Sequence, residues 1–532
     1  MMIVLQSDGE QSDKKPFMMN QHQLHINEEA TRCLLCEDAP CTKACGKGDP
    51  ARAIRAIRFN NAKNAGKWVA ECTDADLERA EQACIHYDQP IRIRELLKAA
   101  ECEAVTTDKP APSLAITFCG IPCENPFFLA SSAICTNYDM VARALEMGWA
   151  GVFYKTICKQ DIHEVSPRFD AVKEGTTFAG FRNMEQLSEN PYEVDFEILR
   201  RLKQNYPTKV IVASIMGEFE EDWISLAKMA EDAGCDAVEL NFSCPQMRLA
   251  GMGSDVGQDT ELVAYYTSYV KHHVNIPVIP KMTPNITNMN RPLLASYFAG
   301  ADAISAINTI KSVTMSPEAK VSDKWTVSGY SGRAVKPIAL RFILEMAQNP
   351  IVNRQHNKED VNIAQSLPAS NTRLPKNENI EFSGIGGIET WRDALEFMQL
   401  GCRNVQVCTA VMEYGYRIID DLISGMQTYM QERSIEHLED IVGEMVPSFV
   451  QASELDRDTK IMPAFDHKKC IGCGRCYISC RDGGHQALTF DAESRQPHLI
   501  GTKCVGCHLC RLVCPASAIG VAKRIEKREN ES

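Results

Sequence analysis

The long middle of the chain alternates short apolar runs, rich in β-branched residues, with stretches whose apolar positions recur every three to four residues. The first pattern predicts buried strands and the second predicts amphipathic helices. Several helical stretches end in glycine, as helix C-termini commonly do. Eight such pairs can be counted, and eight repeats predict a (β/α)8 barrel, also called a TIM barrel. The predicted strands are 127–131, 151–157, 209–217, 237–244, 277–285, 303–310, 380–388 and 404–411.

Breaks in this alternation predict the domain boundaries. Residues 353–379 are polar and punctuated by proline, so we interpret them as an excursion between barrel repeats. The opening residues carry a short apolar run followed by charges, which is typical of a solvated arm rather than a signal peptide. We therefore predict a flexible arm (1–26), an α-helical N-terminal domain (27–108), the barrel (109–435), a linker (436–461) and a C-terminal domain (462–532).

Composition narrows the classes of function. Hydrophobic residues make up 44% and charged residues 24% of the chain, and no window reaches about 18 uninterrupted apolar residues, so we expect no membrane span. The net charge of −13 argues against nucleic-acid binding through phosphates. The chain has 23 cysteines and no recognisable export signal, which predicts metal or redox sites in a reducing cytoplasm.

Eight cysteines near the C-terminus repeat one spacing twice. The runs are Cys470-x2-Cys473-x2-Cys476-x3-Cys480 and Cys504-x2-Cys507-x2-Cys510-x3-Cys514-Pro515. Bacterial ferredoxins with two [4Fe-4S] clusters use this spacing, and the fourth cysteine of each run binds the other cluster. The predicted ligand sets are Cys470, Cys473, Cys476 and Cys514 for one cluster, and Cys480, Cys504, Cys507 and Cys510 for the other. A pair of structural zinc sites is the alternative, but zinc would be satisfied by two paired CxxC units.

A second group of six cysteines lies near the N-terminus. Cys33, Cys36, Cys41 and Cys45 follow the spacing C-x2-C-x4-C-x3-C, and Cys72 and Cys84 lie downstream. Six thiols suffice for one four-cysteine site and leave two over. A zinc site or spare buried thiols are the alternatives here.

Polar side chains collect where the predicted barrel strands end, which is where barrel enzymes carry their active sites. These residues are Ser131, Lys155, Thr156, Asn241, Ser243, Cys244, Lys281, Asn308 and Thr309. Gly386, Gly387 and Thr409 occupy loops that commonly bind phosphate in such barrels, which predicts a phosphorylated cofactor. Two lysines, Lys155 and Lys281, would balance the negative charge of a reduced flavin. No GxGxxG sequence follows a strand and opens a helix, so we expect electrons to arrive from another protein.

Cys244 is the predicted proton donor. It follows Asn241, Phe242 and Ser243 at the end of a strand and precedes Pro245. A thiol has an ordinary pKa near 8.5 and can exchange a proton close to neutral pH, which suits general acid catalysis. An inert buried thiol is the alternative.

From about Leu114 to the C-terminus, the chain resembles the catalytic subunits of bacterial NAD-dependent dihydropyrimidine dehydrogenases, and the matching part of the single-chain enzymes. The segments NPFFLASS, YKTI, NFSCPQ, KMTPNIT, INTIKS, YSGRAVKPIALR, SGIGGIETW and QVCTA carry the resemblance. It implies a dihydroorotate dehydrogenase-like barrel that binds flavin mononucleotide (FMN). It also implies an oxidoreductase of pyrimidine catabolism that acts on a CH–CH group.

The resemblance also assigns residues. FMN contacts are implied for Ser131, Lys155, Thr156, Lys281, Gly332, Ile385, Gly386, Gly387, Cys408 and Thr409. Contacts to the pyrimidine are implied for Asn183, Asn241, Phe242, Ser243, Asn308 and Thr309. The implied reaction is reversible: hydride passes from FMN N5 to C6 of uracil or thymine, and Cys244 protonates C5.

The N-terminal segment TRCLLCEDAPCTKAC resembles the iron-sulfur domain of the partner half of these enzymes, which oxidises NAD(P)H with flavin adenine dinucleotide (FAD). This resemblance implies one [4Fe-4S] cluster on Cys33, Cys36, Cys41 and Cys84. A second cluster would use Cys45 and Cys72, but its other expected ligands are replaced by Ala80 and Leu97. Because the FAD and nicotinamide domains are absent from this sequence, we expect a separate flavoprotein partner in a hetero-oligomer. A dihydroorotate dehydrogenase and a non-catalytic electron-relay subunit are the alternative functions.

Overall fold

A computed structural model describes residues 26–100, 110–244, 253–352 and 380–527. Ala30–Phe449 form one compact unit, and the described residues 26–29 and those from Val450 onward belong to a second. The predicted excursion, 353–379, and the predicted arm up to residue 25 lie outside the described residues. From Ala30 onward, the helical N-terminal segment belongs to the same unit as the barrel, and the boundary predicted near residue 109 stays a prediction. No helix within the described ranges is long and apolar enough to cross a membrane.

The N-terminal segment is helical, as predicted. Pro40 and Pro50 occupy first-turn positions, where a missing backbone N–H costs nothing, and Asp49 caps the third helix by accepting from Arg52 N at 3.0 Å. Thr73 and Asp76 form a capping box at the start of the fifth helix. The helices are α1 (Ile26–Arg32), α2 (Pro40–Cys45), α3 (Pro50–Arg58), α4 (Ala62–Ala65), α5 (Asp74–Gln82) and α6 (Ile93–Ala99).

A short antiparallel hairpin, β1 (Ile116–Phe118) and β2 (Ile121–Cys123), precedes the barrel. The elements that follow are β3 (Phe127–Leu129), α7 (Tyr138–Glu146), β4 (Gly151–Phe153), β5 (Phe169–Glu174), β6 (Thr177–Asn183), α8 (Tyr192–Asn205), β7 (Val210–Ile215), α9 (Glu220–Asp232), β8 (Ala237–Asn241), α10 (Ser254–Gln258), α11 (Thr260–Lys271), β9 (Val278–Lys281), α12 (Asn290–Phe298), β10 (Ala303–Ala306), β11 (Ile310–Ser312), β12 (Ser328–Ser331), α13 (Lys336–Ala347), β13 (Glu381–Ile385), α14 (Trp391–Gln399), β14 (Cys402–Val407), α15 (Thr409–Tyr414) and α16 (Ile419–Arg433).

Eight of these strands close into a parallel barrel in the order β3, β4, β7, β8, β9, β10, β13, β14, which confirms the predicted fold. Most barrel positions are buried, because a parallel sheet wrapped by helices is covered on both faces. The observed strands end two to four residues before their predicted ends. The residues beyond each strand end carry most of the predicted site, so the site lies in the loops at the carboxyl end of the barrel.

A second sheet lies outside the barrel and was not predicted. It has four antiparallel strands in the order β11, β12, β6, β5, and we call it the rim sheet. Gly329 pairs with Asn183, and Asn183 also pairs with Phe169. The rim sheet therefore joins the loop after β4 to the loop after β10.

Buried polar contacts fix the N-terminal segment to the barrel. Arg55 Nε donates to Asp421 Oδ2 at 2.6 Å, and their side chains are only 8% and 4% exposed. Asn61 Nδ2 donates to Ser424 Oγ at 2.8 Å, and Trp391 Nε1 donates to the carbonyl of Asn60 at 2.9 Å. The segment thus packs on α14 and α16 as part of the same unit.

The C-terminal unit contains two small antiparallel sheets and two helices. Its elements are β15 (Thr459–Phe465), α17 (Arg475–Gly483), β16 (Leu488–Asp491), β17 (Gln496–Leu499), α18 (Leu509–Leu512) and β18 (Ile519–Glu526). β15 pairs with β18, and β16 pairs with β17. The predicted linker, 436–461, includes single 3₁₀ turns at Leu438–Ile441, Val446–Ser448 and Ala452–Glu454.

Candidate active site

A pocket at the carboxyl end of the barrel collects eleven of the predicted site residues. The pocket opens to solvent at its mouth. The predicted residues that line it are Ser131, Asn183, Lys281, Asn308, Thr309, Gly332, Ile385, Gly386, Gly387, Cys408 and Thr409. Lys155, Thr156, Asn241, Phe242, Ser243 and Cys244 are not among the lining residues.

A hydrogen-bonded chain links several of the remaining residues to the pocket. Asn308 Nδ2 donates to Ser243 Oγ at 2.8 Å, and Ser243 Oγ donates to Asn241 Oδ1 at 2.9 Å. Asn241 Nδ2 donates to Thr156 Oγ1 at 2.9 Å, and Thr156 Oγ1 lies 3.0 Å from Ser131 Oγ. We call these five side chains the polar chain. It connects predicted pyrimidine contacts to predicted FMN contacts within one buried network.

Phe242 packs on the helical layer. Its side chain is fully buried, and its ring centroid lies 5.3 Å from that of Trp223. The neighbouring ring of Tyr266 lies 6.5 Å away. Any contact of Phe242 with a ligand would therefore involve its backbone, and its predicted role stays a prediction.

The two predicted lysines are each paired with a buried glutamate that sequence reasoning missed. Lys281 Nζ lies 3.4 Å from Glu239 Oε1, and Lys155 Nζ lies 2.9 Å from Glu185 Oε2. Glu239 is fully buried; its Oε1 accepts from Ser214 Oγ at 2.9 Å, and its Oε2 has no hydrogen-bond partner. A charged residue inside the apolar run AVELNF was the available sequence signal for Glu239.

Glycines shape the wall that was predicted to bind phosphate. Gly332, Gly386 and Gly387 have φ values of +89°, +127° and +75°, which residues with a side chain rarely adopt. A Cβ atom on Gly387 would lie 2.9 Å from the carbonyl oxygen of Gly332. On the same wall, Thr409 Oγ1 lies 3.0 Å from Ser331 Oγ. Close packing against Gly332 and Lys336 thus requires a glycine at position 387.

Gln406 and Glu389 are among the lining residues that sequence reasoning missed. Gln406 donates through Nε2 to Ser305 Oγ at 3.0 Å and Ser383 Oγ at 2.8 Å, and its buried Oε1 has no hydrogen-bond partner. Glu389 follows the glycine pair, and burial raises its pKa to about 7. Gln406 lies inside the predicted strand 404–411, but nothing in that apolar run marked its role.

Cys244 is the last described residue of the loop after β8. It is 5% exposed, and its carbonyl accepts from Ser254 N at 2.9 Å. The neighbouring Pro245 lies outside the described residues. The sequence-based role of Cys244 as a proton donor stays a prediction.

Three similar cavities are each lined by one predicted set of four cysteines. Cys470, Cys473, Cys476 and Cys514 line the first, Cys480, Cys504, Cys507 and Cys510 the second, and Cys33, Cys36, Cys41 and Cys84 the third. The three cavities are nearly equal in size. Across the described ranges, no three or more Cys, His, Asp or Glu side chains converge where a single ion would bind. Each set surrounds a volume, which is the arrangement that a cubane cluster requires.

Comparison with known proteins assigns the family. A dihydroorotate dehydrogenase family model matches residues 113–353, and a 4Fe-4S dicluster domain model matches residues 464–521. The chain is 47% identical over 426 residues to the NAD-dependent dihydropyrimidine dehydrogenase subunit PreA of Escherichia coli K12. That match covers 79% of this chain and 98% of the relative. The chain belongs to the dihydropyrimidine dehydrogenase family. It is an oxidoreductase with a flavoenzyme barrel and a C-terminal 4Fe-4S domain.

More distant relatives carry related names. The chloroplastic dihydropyrimidine dehydrogenase (NADP(+)) of Arabidopsis thaliana is 34% identical over 66% of this chain and 80% of the relative. The catalytic subunit of dihydroorotate dehydrogenase B (NAD(+)) of Pyrococcus furiosus is 32% identical over 62% of this chain and 98% of the relative. Both names belong to pyrimidine oxidoreductases, so membership of the wider family does not by itself fix the substrate.

Proposed function

We propose that the barrel reduces uracil or thymine to the 5,6-dihydropyrimidine, reversibly, with electrons that reach bound FMN through [4Fe-4S] clusters. The observation that carries this proposal is the polar chain. It joins the amide groups of Asn308 and Asn241, which suit a pyrimidine edge, to the predicted FMN contacts Thr156 and Ser131. A uracil edge alternates hydrogen-bond donors and acceptors, and an asparagine amide offers both. Asn183 and Asn308 line the pocket and are suited to this recognition.

The charge of the pocket favours a neutral substrate. Lys281 is the one Lys or Arg among the described residues that line it, and Lys281 already faces Glu239 at 3.4 Å. The carboxylate of orotate would require a further cation, because an ionised group taken out of water needs a partner of opposite charge. We therefore favour uracil and thymine over orotate as substrates.

The pocket suits FMN on two observations. Two of its lining residues, Gly386 and Gly387, carry no side chain, so a phosphate could approach their backbone closely. The buried Oε1 of Gln406 lacks a donor, which a ring N–H of the cofactor would provide. When bound, FMN would supply the hydride that is delivered from N5 to C6 of the pyrimidine.

The residues of the chain would position the ring and supply the proton. Asn308 lines the pocket and is held in a fixed orientation by Ser243, so it can bind the ring without reorganising. Cys244 would protonate C5 as its S–H bond breaks and the C5–H bond forms. In the oxidation direction, the Cys244 thiolate would accept the same proton.

Three clusters would carry the electrons. The two C-terminal sets match the ferredoxin spacing, and the cavity lined by Cys33, Cys36, Cys41 and Cys84 has nearly the same volume as theirs. We therefore propose a third [4Fe-4S] cluster in the N-terminal segment. A separate FAD-containing flavoprotein that oxidises NAD(P)H would supply the electrons, because this sequence contains no nucleotide-binding glycine motif of its own.

Turnover measurements with different pyrimidines test which substrate the enzyme reduces. The purified enzyme, supplied anaerobically with an artificial electron donor, should reduce uracil and thymine and leave orotate unchanged. Reduction of orotate alone would refute the proposal and indicate a dihydroorotate dehydrogenase. Protein that releases no FMN on denaturation would instead indicate an electron-relay subunit. The iron content should be about 12 atoms per chain for three clusters.

A cysteine variant tests the route of the electrons. Cys504→Ser should remove cluster absorbance and block reduction by the partner, while FMN stays bound, because Cys504 lines a C-terminal cluster cavity and not the barrel pocket. Cys235→Ser is the matched control, because Cys235 is a buried thiol just after α9 that lines neither cavity. Partner-driven reduction that survives in Cys504→Ser would contradict this route.

A further inference from the structure

Two N-terminal cysteines contact each other directly. The Sγ atoms of Cys45 and Cys72 lie 3.2 Å apart, whereas the four thiols of each predicted cluster set surround a cavity. Ala80 and Leu97, where the sequence resemblance expected further cluster ligands, are buried apolar side chains. Among the residues that the structure describes, two thiols therefore stand at the position where a cubane needs four ligands.

The surrounding chain packs closely against the pair. A Cβ atom on Gly48 would lie 2.5 Å from Cys72 Sγ, so only glycine lets the chain pass this close. Arg79 Nε donates to the carbonyl of Ala44 at 3.4 Å, which ties α5 to α2. Cys45 is 1% exposed and Cys72 is partly exposed, so a small reagent reaches Cys72 first.

We propose that Cys45 and Cys72 form a reversible intramolecular disulfide, and that this redox site takes the place of a second N-terminal cluster. The oxidant is a low-molecular-weight disulfide, RSSR. Cys72 attacks RSSR, which gives a Cys72–S–S–R mixed disulfide and one RSH; Cys45 then displaces the second RSH. Two S–H bonds and one S–S bond break, one protein S–S bond forms, and RSSR is reduced to two RSH. In a reducing compartment such a bond is transient and suited to redox sensing.

The position of the pair gives the bond a structural effect. Cys45 ends α2, which also carries Cys41, and Cys72 directly precedes Thr73, the N-cap of α5. The segment after α5 carries Cys84. The disulfide would thus tie together the two helical segments that present Cys41 and Cys84 to the third cysteine cavity.

Thiol mapping of the full-length enzyme tests this proposal. The protein is equilibrated anaerobically in buffers of increasing [GSSG]/[GSH]², alkylated, digested and analysed by mass spectrometry. The ratio of Cys45–Cys72 linked peptide to alkylated Cys72 should rise tenfold for each tenfold rise in that quotient, and dithiothreitol should reverse it. Cys235, which is buried and isolated, is the internal control and should form no linked peptide.

Iron analysis separates the disulfide from a cluster. In Cys45→Ser and Cys72→Ser, the iron content should equal that of the wild type, and Cys45→Ser should leave Cys72 able to form only a mixed disulfide with glutathione. Loss of about four irons in either variant would overturn the proposal in favour of a cluster. Cys72 that stays fully alkylated in wild-type protein at the most oxidising ratio would also overturn it. Neither outcome bears on uracil reduction, so this inference and the proposed function can fail separately.

Discussion

Replacing Gly387 by alanine tests whether the glycine wall binds the cofactor. Gly387 has φ +75°, and a Cβ atom there would lie 2.9 Å from Gly332 O, Lys336 N and Lys336 Cβ. The left-handed backbone alone costs an alanine about 1–2 kcal/mol. Forced overlap with close-packed neighbours adds about 1–3 kcal/mol. Since two of the three contacts are backbone atoms, the wall itself must move.

Gly120→Ala is the matched control. Gly120 has φ +77°, nearly the same as Gly387, but a Cβ atom there would meet nothing within 4 Å. It lies in the turn between β1 and β2 and does not line the pocket. The control therefore measures the backbone strain without the overlap, and the difference between the two variants isolates the displacement of the wall.

The assay is FMN binding to the two variants together with their thermal unfolding. Gly120→Ala should lose about 1–2 kcal/mol of stability and keep the wild-type FMN dissociation constant. Gly387→Ala should lose more stability and bind FMN at least about tenfold more weakly, which corresponds to about 1.4 kcal/mol. Equal destabilisation in both variants, with unchanged FMN affinity, would refute a phosphate site at this wall.

Three further predictions concern the proton donor, a titrating carboxyl and the anchored N-terminal segment. Cys244→Ala should keep its FMN and clusters while anaerobic turnover falls by about 10²- to 10⁴-fold; unchanged turnover would mean that the proton comes from another group. Burial raises the pKa of Glu389 from 4.5 to about 7, so the stabilisation from holding this proton is fully present below pH 4.5 and is lost as the pH rises through about 7. The free energy of unfolding, measured at a series of pH values, should therefore fall less between pH 4.5 and 7 in Glu389→Gln than in the wild type. The same pH dependence in both proteins would contradict the assignment. Arg55→Met should lower the free energy of unfolding in denaturant by about 3–5 kcal/mol, because Asp421 stays buried without its partner, and adding Asp421→Asn should restore part of that loss.

The barrel was predictable because its strands are buried on both faces and read as continuous apolar runs. Every barrel strand begins within two residues of its predicted start; the largest difference is the last strand, predicted from residue 404 and observed from Cys402. Most of the predicted site residues followed from the same pattern, because the carboxyl ends of parallel strands meet at one end of a barrel. Asn308 and Ser243 are far apart in sequence, but their hydrogen bond follows from that geometry.

Other features left weak sequence signals. β5 and β6 of the rim sheet are largely polar or mixed, since only part of that sheet is buried, and the apolar-run criterion passed over them. Glu239 and Glu185 were missed because their role depends on which lysine each one faces across the fold. A pattern along one strand carries no information about partners on another.

Under the proposed function, recognition of the pyrimidine would depend on the strand register of the rim sheet. Phe181 and Asn183 alternate along β6 so that both line the pocket, and a slip of one residue would turn both side chains to the opposite face. Gly180 lies against the Tyr330 side chain and Gly329 against that of Thr309, and a Cβ atom on either glycine would collide. These two glycines do not line the pocket but keep Asn183 in it, so if Asn183 binds the pyrimidine as proposed, mutations outside the pocket would alter substrate choice.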